Sequence, residues 1–227
     1  MPTRVPPTSV IIVAGGSGSR FGSAIPKQFV PINGIPMIVH TIRKFLSCEF
    51  VKQLIVVLPK TELERWAAIA NEYALQDIIE ITIGGATRVD SVENGLQLVT
   101  SNTIVAIHDA ARPLLSSALI ENCCIAAVTH HNAIPAVACA DSLRRVLSET
   151  TNEIVDRSAI VQIQTPQCFN TAELKACFAK KGAGNYTDDA SIWEAAGHAV
   201  HLVEGEKYNI KITTADDLVL AAALLAQ

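Results

Sequence analysis

A glycine-rich loop beside two cations is the clearest candidate for chemistry in this sequence. The apolar run at 10–13 leads into residues 14–20, Ala-Gly-Gly-Ser-Gly-Ser-Arg, and Lys27 follows shortly after. Glycine lets backbone amides approach a ligand closely, and such amides bind phosphate. Arg20 and Lys27 add positive charge that a polyanion would neutralise. We therefore expect a nucleoside triphosphate here; the alternative is a tight glycine turn without a ligand.

Two better-known glycine loops do not match this one. The P-loop needs a Gly-Lys pair, which the loop lacks. The dinucleotide pattern G-x-G-x-x-G requires a third glycine where this sequence has Phe21. This pattern also needs an acidic residue that binds the ribose, and no acidic residue occurs before Glu49. The loop residues that we expect to contact the nucleotide are Ala14, Gly15, Gly16 and Gly18.

A lone carboxylate is the second candidate for chemistry. The segment His-Asp-Ala-Ala-Arg-Pro at 108–113 follows the apolar run at 103–107. A carboxylate at the end of a central strand, next to a triphosphate, is well placed to bind Mg²⁺, so we predict Asp109 as the metal ligand. Arg112 could bind a second phosphate, or it could instead pair with Asp109 and stabilise the turn. We interpret His108 as structural, because phosphate-to-phosphate transfer needs no general base.

The elements that must position these residues follow from hydrophobic patterning. Apolar runs alternate with segments of helical spacing, which predicts βαβ units. These runs lie at 10–13, 54–58, 78–83, 103–107 and 134–138. We therefore predict an α/β fold, a three-layer Rossmann-like sandwich with a mostly parallel sheet. The length of 227 residues and the 49% hydrophobic content fit one domain over 1–227.

Several local signals give more detailed predictions. Asn33-Gly34 predicts a tight hairpin turn, and the spacing after it predicts a helix from Pro36 to Leu46. The sequence Thr-Glu-Leu-Glu at 61–64 predicts a capping box that opens the next helix. We expect a final strand at 209–214 and a last helix at 215–226.

Composition excludes several classes of protein and site. The net charge of −4 and 18% charged residues indicate neither nucleic acid nor membrane as a partner. The six cysteines form no C-x-x-C pair, so we predict buried free thiols rather than a metal or disulfide set. Residues 1–9 lack the apolar core of a signal peptide, and no run reaches the length of a membrane span, so we expect a cytoplasmic protein.

The glycine loop, continued to Pro-Lys-Gln at 26–28, resembles the nucleotide loop of sugar-phosphate nucleotidyltransferases. It resembles in particular the 2-C-methyl-D-erythritol 4-phosphate cytidylyltransferases of the non-mevalonate isoprenoid pathway. Further similar stretches occur in the same order, at 84–92, 105–113, 141–160, 164–169, 186–191 and 209–214. The resemblance implies cytidylyl transfer from CTP to this sugar-alcohol phosphate, with release of pyrophosphate and in-line attack on the α-phosphorus.

The resemblance also assigns roles in the nucleotide site. It implies that the catalytic cations are Arg20, Lys27 and Lys211. Gly85 and Ser91 would read the cytosine edge, and Ala110 would contact the nucleotide. Ala86 stands where some members carry an acidic residue. From the residues alone, this segment could equally be a plain helix start, with Thr87 as N-cap and Arg88 in solvent.

Residues 139–160 predict a projecting hairpin of two short strands, which needs a packing partner to be stable. The resemblance implies that this arm forms a homodimer and sends Arg157 into the neighbouring substrate site. Ser142 stands where the family usually has threonine, which keeps a hydroxyl. The other substrate contacts that we assign are Asp109, Arg112, Thr165 and Thr187. Thr187 could also be an ordinary N-cap.

Three other functions stay open from the sequence. A cytidylyltransferase for another polyol phosphate, such as ribitol 5-phosphate, would share the loop and the segment at 108–113. A catalytically silent nucleotide-binding regulator would be expected to lack Arg20, Lys27 or Asp109, and all are present. The base-reading segment makes a uridylyl- or guanylyltransferase the weaker alternative.

Overall fold

The computed structural model describes residues 5–15, 25–100 and 103–226. Three residues predicted for the phosphate loop, Gly16, Gly18 and Arg20, lie outside these ranges. The described strands are β1 (Thr8–Val13), β2 (Pro31–Ile32), β3 (Ile35–Pro36), β4 (Val51–Leu58), β5 (Glu80–Ile83), β6 (Ile104–Asp109), β7 (Asn132–Ala138), β8 (Leu143–Val146), β9 (Asn152–Val155), β10 (Val161–Ile163), β11 (Gln167–Asn170) and β12 (Leu202–Glu204). The described helices are α1 (Met37–Leu46), α2 (Leu63–Glu72), α3 (Arg88–Leu98), α4 (Ser117–His130), α5 (Thr171–Lys180), α6 (Asp189–Ala195) and α7 (Ala215–Leu225).

One mixed sheet forms the centre of the fold. Within the described ranges it has eight strands in the order β10-β7-β11-β6-β1-β4-β5, with β12 beside β7. β1 pairs in parallel with β4 and β6, and β4 pairs in parallel with β5. β11 runs antiparallel between β6 and β7, and β10 runs antiparallel to β7. The five apolar runs from 10–13 to 134–138 that were predicted as strands all form strands of this sheet, and the mostly parallel sheet is confirmed.

Helices cover both faces of this sheet. Successive residues of β1 point to opposite faces, as strand geometry requires. Ile12 packs with α1, α2 and α4 in one buried cluster. Ile11 packs with α3, α5 and α6 in the other, around Phe169 and Trp193. The three-layer α/β sandwich is therefore confirmed, and its two cores hold the strand ends in place.

A third, smaller cluster joins α7 to the rest of the molecule. Ile212 and Ala221 pack there against Ile32, Met37 and Ala111. Asn33 and Gly34 connect β2 to β3 with φ angles of 50° and 83°, which confirms the predicted tight turn. The Asn33 side-chain amide donates to the carbonyl of Ala222, 2.9 Å away. The hairpin and the last helix are thus fixed to each other.

Two local predictions are wrong. Thr61 does not cap α2, because a 3-10 turn at Lys60–Glu62 precedes the helix and its N-cap, Glu62, makes no side-chain capping hydrogen bond. Lys211 does not lie on a strand; it lies on an irregular segment between β12 and α7. Hydrogen bonds from the side chains of Lys27 and Arg112 and from the amide of Ile212 hold this segment where a strand ladder was expected.

The predicted arm is present as a hairpin. β8 and β9 pair antiparallel and form a sheet of their own. Val146 is 75% exposed and Ile154 is 77% exposed on this hairpin.

All six cysteines are buried and free, as predicted. None of the described helices combines the length and the apolar character needed to cross a membrane.

Candidate active site

The predicted site residues meet where parallel strands end. The amide of Ala14 donates to Val57 at 2.9 Å, and the amide of Ala110 donates to Val13 at 3.1 Å. The amide of Gly84 donates to Leu58 at 2.9 Å. These bonds continue the strand pairing by one residue past β1, β5 and β6. The three following segments therefore leave the sheet at one edge, the usual place for a ligand in an open α/β sheet.

A cavity of about 410 Å³ opens at this edge, within the size range of small-molecule sites. The predicted nucleotide residues in its lining are Ala14, Gly15, Gly85, Ser91 and Ala110. The predicted catalytic lysines Lys27 and Lys211 also line it, together with Asp109. The structure thus brings together eight site residues from separate stretches of sequence.

Ser91 holds the segment before α3 in its conformation. Its hydroxyl accepts from the amide of Gly85 at 3.1 Å and donates to the carbonyl of Thr87 at 2.9 Å. A Cβ atom on Gly85 would lie 2.3 Å from Cβ of Asp90, so this position admits only glycine. Thr87 is the N-cap of α3 and forms a capping box with Asp90. The helix start with Thr87 as its N-cap is therefore confirmed, and Gly85, Ala86 and Thr87 line the cavity beside it.

Arg88 does not point into solvent, so that interpretation is wrong. Its Nη2 atom lies 2.8 Å from Oδ2 of Asp189, and its Nε atom lies 3.4 Å from Oδ1 of Asp109. The side chain is only 26% exposed. An arginine at a helix start is normally solvated, and its partner Asp189 is 101 residues away in sequence. No local pattern in the sequence could have identified this pair.

Asp109 is surrounded by cations. Besides Arg88, the Nζ atom of Lys211 lies 2.7 Å from Oδ2, and Nε of Arg112 lies 3.9 Å from the same oxygen. Burial alone would raise the pKa of Asp109, but Arg88, Lys211 and Arg112 together hold it well below its usual value. The carboxylate is therefore ionised and fixed by three positive partners, and Arg112 is the most distant of them.

Lys27 lines the cavity from a turn that follows the glycine-rich segment in sequence. It begins a 3-10 turn at Lys27–Phe29, and its Nζ atom donates to the carbonyl of Ile212 at 3.2 Å. Gln28, which is buried, donates to the carbonyl of Ala14 at 2.7 Å. Gln28 had no predicted role, although it belongs to the Pro-Lys-Gln string; it fixes the end of β1 to the turn that carries Lys27.

A family model described as IspD: 2-C-methyl-D-erythritol 4-phosphate cytidylyltransferase matches residues 8–227. The chain belongs to this family. The 2-C-methyl-D-erythritol 4-phosphate cytidylyltransferase of Bacteroides thetaiotaomicron is 41% identical over 217 residues, which are 96% of this chain and 99% of that protein. The enzyme of the same name from Bacillus cytotoxicus is 37% identical over 219 residues, covering 96% of this chain and 97% of its own.

Solved structures of cytidylyltransferases share the fold. The crystal structure of 2-C-methyl-D-erythritol 4-phosphate cytidylyltransferase from Thermus thermophilus has a TM-score of 0.79 at 31% identity, covering 96% of this chain and 98% of that one. The 4-diphosphocytidyl-2C-methyl-D-erythritol synthase from Anaerococcus prevotii has a TM-score of 0.83 at 26% identity, covering 97% and 98%. The family resemblance seen in the motifs therefore extends over nearly the whole chain.

The cytidylyltransferase cavity offers few metal ligands. Asp109 is the only carboxylate in the described lining, and the described residues hold no cluster of three or more His, Cys, Asp or Glu that could bind a metal. Mg²⁺ commonly binds one or two carboxylates together with substrate phosphates and waters. A metal on Asp109 would share or displace the Lys211 contact at Oδ2. A site with this one carboxylate fits a Mg²⁺ ion that binds together with a triphosphate. It does not fit a Mg²⁺ ion that the protein binds alone.

Thr165 and His108 form a buried network behind Asp109. The hydroxyl of Thr165 accepts from the amide of Asp109 at 3.2 Å and donates to Nδ1 of His108 at 3.0 Å. Nε2 of His108 then donates to the carbonyl of Arg112 at 3.1 Å. Burial lowers the pKa of His108 to about 4, so the ring is neutral near pH 7. His108 is structural here, and the predicted substrate residue Thr165 uses its hydroxyl inside the protein.

Three of the other predicted substrate residues lie apart from the cavity in this chain. Ser142, Arg157 and Thr187 are exposed and do not contribute to the lining. Arg157 donates to the carbonyl of Ala140 at the base of the arm. Thr187 is not the N-cap of α6, because Asp188 takes that position. Their predicted roles depend on a second subunit or on substrate, which the single chain does not contain.

Arg112 lies next to the cavity and contacts the segment that carries Lys211. Its Nη1 atom donates to the carbonyl of Asn209 at 2.7 Å, and its side chain is 12% exposed. Burial lowers the pKa of Arg112, while Asp109 opposes this effect. Arg112 therefore joins the end of β6 to residues 209–212 and lies within ion-pair distance of Asp109, while its phosphate role stays a prediction.

Proposed function

We propose that this chain transfers a cytidylyl group from CTP to 2-C-methyl-D-erythritol 4-phosphate and releases pyrophosphate. Family membership and the names of its relatives support this activity. The observation that carries the proposal is the single cavity lined both by the phosphate loop, at Ala14 and Gly15, and by the base segment, at Gly85 and Ser91. A triphosphate and its base could therefore bind side by side.

The proposed reaction is an in-line displacement at phosphorus. An oxygen of the substrate phosphate forms a bond to the α-phosphorus as the bond to the β-phosphate oxygen breaks. Lys27 and Lys211, at the cavity wall, would stabilise the negative charge that grows on the α-phosphate and on pyrophosphate. We propose the same role for Arg20. No base has to remove a proton, which agrees with the neutral, buried state of His108.

We further propose Mg²⁺ as the cofactor, with Asp109 as its protein ligand. Such an ion would neutralise and orient the triphosphate. Phosphate oxygens and waters would supply its other ligands, because Asp109 is the only carboxylate in the described lining. Lys211 contacts the same Asp109 carboxylate that would bind the ion, so Mg²⁺ and Lys211 would compete for it.

Specific contacts complete the proposal. The proposed nucleotide residues are Ala14, Gly15, Gly16, Gly18, Gly85, Ser91 and Ala110. The proposed residues for the sugar phosphate are Asp109, Arg112, Ser142, Arg157, Thr165 and Thr187.

We propose that the 139–160 arm makes the protein a homodimer. Val146, Leu147 and Ile154 expose large apolar side chains on the hairpin, at 75%, 59% and 77%. A two-stranded hairpin is marginally stable alone, and a second copy of the arm would cover these side chains. In such a dimer Arg157, which is exposed and lies outside the cavity of its own chain, would be free to contribute to the neighbouring site.

Pyrophosphate release tests the function. Purified protein is incubated with MgCl₂, one nucleotide (CTP, UTP or GTP) and one acceptor (2-C-methyl-D-erythritol 4-phosphate or ribitol 5-phosphate). Release is expected with CTP and methylerythritol phosphate. Release with ribitol phosphate only would favour the other cytidylyltransferase. Binding of CTP without release in any mixture would favour a silent nucleotide-binding regulator and contradict the proposal.

A further inference from the structure

Asp189 is a fully buried carboxylate that the reaction outlined above does not use. It is the first residue of α6, its exposure is 0%, and its Oδ2 atom lies 2.8 Å from Nη2 of Arg88. Within the described part of the chain, its Oδ1 atom has no hydrogen-bond partner. A buried charge with half of its hydrogen bonds unmade costs stability unless a counter-charge is fixed beside it.

The position of Arg88, like that of Asp189, is energetically unfavourable if the residue has only a structural role. It is the first residue of α3, and a cation at a helix N-terminus opposes the helix dipole. Its Nη1 atom is buried without a hydrogen-bond partner among the described residues. What Arg88 gains is contact with two carboxylates, Asp189 on one side and Asp109 on the other. Ion pairs of this kind are weak evidence for stability, so a positional role is the better explanation.

The backbone of Asp189 is fixed to the same sheet that carries Asp109. Gln167 on β11, which is buried, accepts from the amides of Asp189 at 3.1 Å and Ala190 at 3.0 Å. Gln167 is also the residue of β11 that pairs with Ile107 of β6, two residues before Asp109. Asp189 therefore holds Arg88 at a set distance from the end of β6.

We propose that Arg88 and Asp189 form a positioning pair that fixes the Asp109 carboxylate and, through it, the ammonium group of Lys211. The inference rests on the proposed transfer reaction, in which Lys211 faces the α-phosphate. Arg88 contacts Oδ1 of Asp109, which leaves Oδ2 to Lys211 at 2.7 Å. Because the terminal torsion of aspartate is soft, the carboxylate without Arg88 can turn and release Lys211 from this position.

Asp189 has a second effect on Arg88. The side chain of Arg88 reaches the cavity wall, where a bound triphosphate would attract any mobile guanidinium group. The contact with Asp189 holds the guanidinium beside Asp109. Asp189 thus keeps the guanidinium of Arg88 in contact with Asp109 and prevents it from binding phosphate.

The charge-neutral double variant Arg88→Gln/Asp189→Asn tests the proposal. Removing both charges together leaves no unpaired buried ion at this pair, so the fold should persist. We expect kcat to fall about 10-fold while the KM for CTP changes less than about twofold, since a misplaced group affects the chemical step more than binding. Wild-type kcat in the folded variant would overturn the proposal. So would a loss confined to KM, which would indicate direct nucleotide binding by Arg88.

A matched control comes from the same helix. Glu93 on α3 forms an ion pair with Lys181 at the end of α5, away from the cavity. The double variant Glu93→Gln/Lys181→Gln also removes one ion pair between helices, and its kcat should stay at the wild-type value. An equal loss of kcat in this control would show that any ion pair on α3 matters, and would overturn the specific role of Arg88 and Asp189.

A second measurement needs no turnover and separates this inference from the proposed function. In a crystal structure of Arg88→Gln/Asp189→Asn, we expect Asp109 turned and Lys211 Nζ beyond about 3.5 Å from Oδ2, outside hydrogen-bond distance. Wild-type geometry would overturn the inference even if the protein used other substrates. Should the double variant fail to fold, the isosteric single variant Asp189→Asn is used, with the same expected kcat loss and the same structural readout.

Discussion

The ammonium nitrogen of Lys211 lies 2.7 Å from Oδ2 of Asp109, although the two residues come from distant parts of the chain. Asp109 ends the central strand β6, and Lys211 lies on an irregular segment before α7. The contact places a predicted catalytic cation on a carboxylate that was predicted to bind metal. The two roles compete for one oxygen, and variants of each residue can separate them.

Lys27→Ala should lower kcat by about 10²–10³ without unfolding the protein, because it removes a cation whose interaction strengthens as charge grows in the transition state. The same loss is expected for Arg20→Ala. Steady-state kinetics and circular dichroism provide the measurements. Lys60→Ala, at an exposed lysine in the 3-10 turn before α2, is the control and should keep wild-type activity. More than roughly a tenth of wild-type kcat in Lys27→Ala would contradict the assigned phosphate role.

Asp109→Asn should lose most activity, and a MgCl₂ titration tells which role is responsible. An amide keeps the shape of the side chain but lacks the charge that binds a hard cation. If Asp109 binds the metal, the Mg²⁺ concentration at half-maximal activity should rise at least about 10-fold, which is about 1.4 kcal/mol of lost binding. An unchanged Mg²⁺ requirement with a lower kcat would assign Asp109 to Lys211 alone and remove it as a metal ligand.

Arg157→Ala should raise the KM for the sugar phosphate and leave the KM for CTP nearly unchanged, as loss of a ground-state phosphate contact does. The homodimer should persist, which light scattering can verify. The side chain of Arg157 is exposed and does not line the cavity of its own chain, so we expect this effect to arise in the site of the neighbouring subunit.

Mixing Arg157→Ala with Lys27→Ala subunits tests the cross-subunit assignment. A mixed dimer would contain one site with both residues intact and one site that lacks both. At a sugar-phosphate concentration well below the raised KM of Arg157→Ala, activity should return to roughly half of the wild-type rate per mixed dimer if the two sites act independently. If subunit exchange is verified and no activity returns, Arg157 acts within its own subunit or has no part in the reaction.

The native cysteines should react slowly with a thiol reagent at about pH 8, below the ordinary thiol pKa. All six are buried, and burial raises the pKa of the Cys168 thiol well above its ordinary value. The Ellman reagent is expected to label all six quickly in urea and few or none of them in the folded protein. Rapid stoichiometric labelling of a folded, active sample would show that one of these thiols is accessible in solution.

Features of this chain that have a local sequence signal could be predicted from the sequence. The apolar, β-branched runs identified the strands, since a buried parallel strand must be apolar on both faces. The turn at Asn33-Gly34 was found because both of its residues tolerate positive φ. Asp109 was found because it follows such a run directly.

Features that depend on contacts between residues far apart in sequence could not be predicted. Arg88 looked like a solvated residue at a helix start, because nothing near it in sequence indicates Asp189. The strand predicted around Lys211 is absent because other contacts hold this segment. The amide of Ile212 donates to the carbonyl of Ala111 at 2.8 Å, and Arg112 binds the carbonyl of Asn209. Two apolar residues flanking a lysine match a strand pattern without revealing this arrangement.

The small third cluster sets the order in which the site can be assembled during protein synthesis. Ile212 and Ala221 dock the Lys211 segment against Ile32, Met37 and Ala111, residues made much earlier. A nascent chain that has emerged only as far as α6 already contains the other described cavity residues, from Val13 to Ala111, but not Lys211. The carbonyl of Ile212 that binds Lys27 is also missing at that stage. The side of the cavity that carries Lys211 is therefore completed only when α7 docks, so a ribosome-bound intermediate would be inactive until that late step.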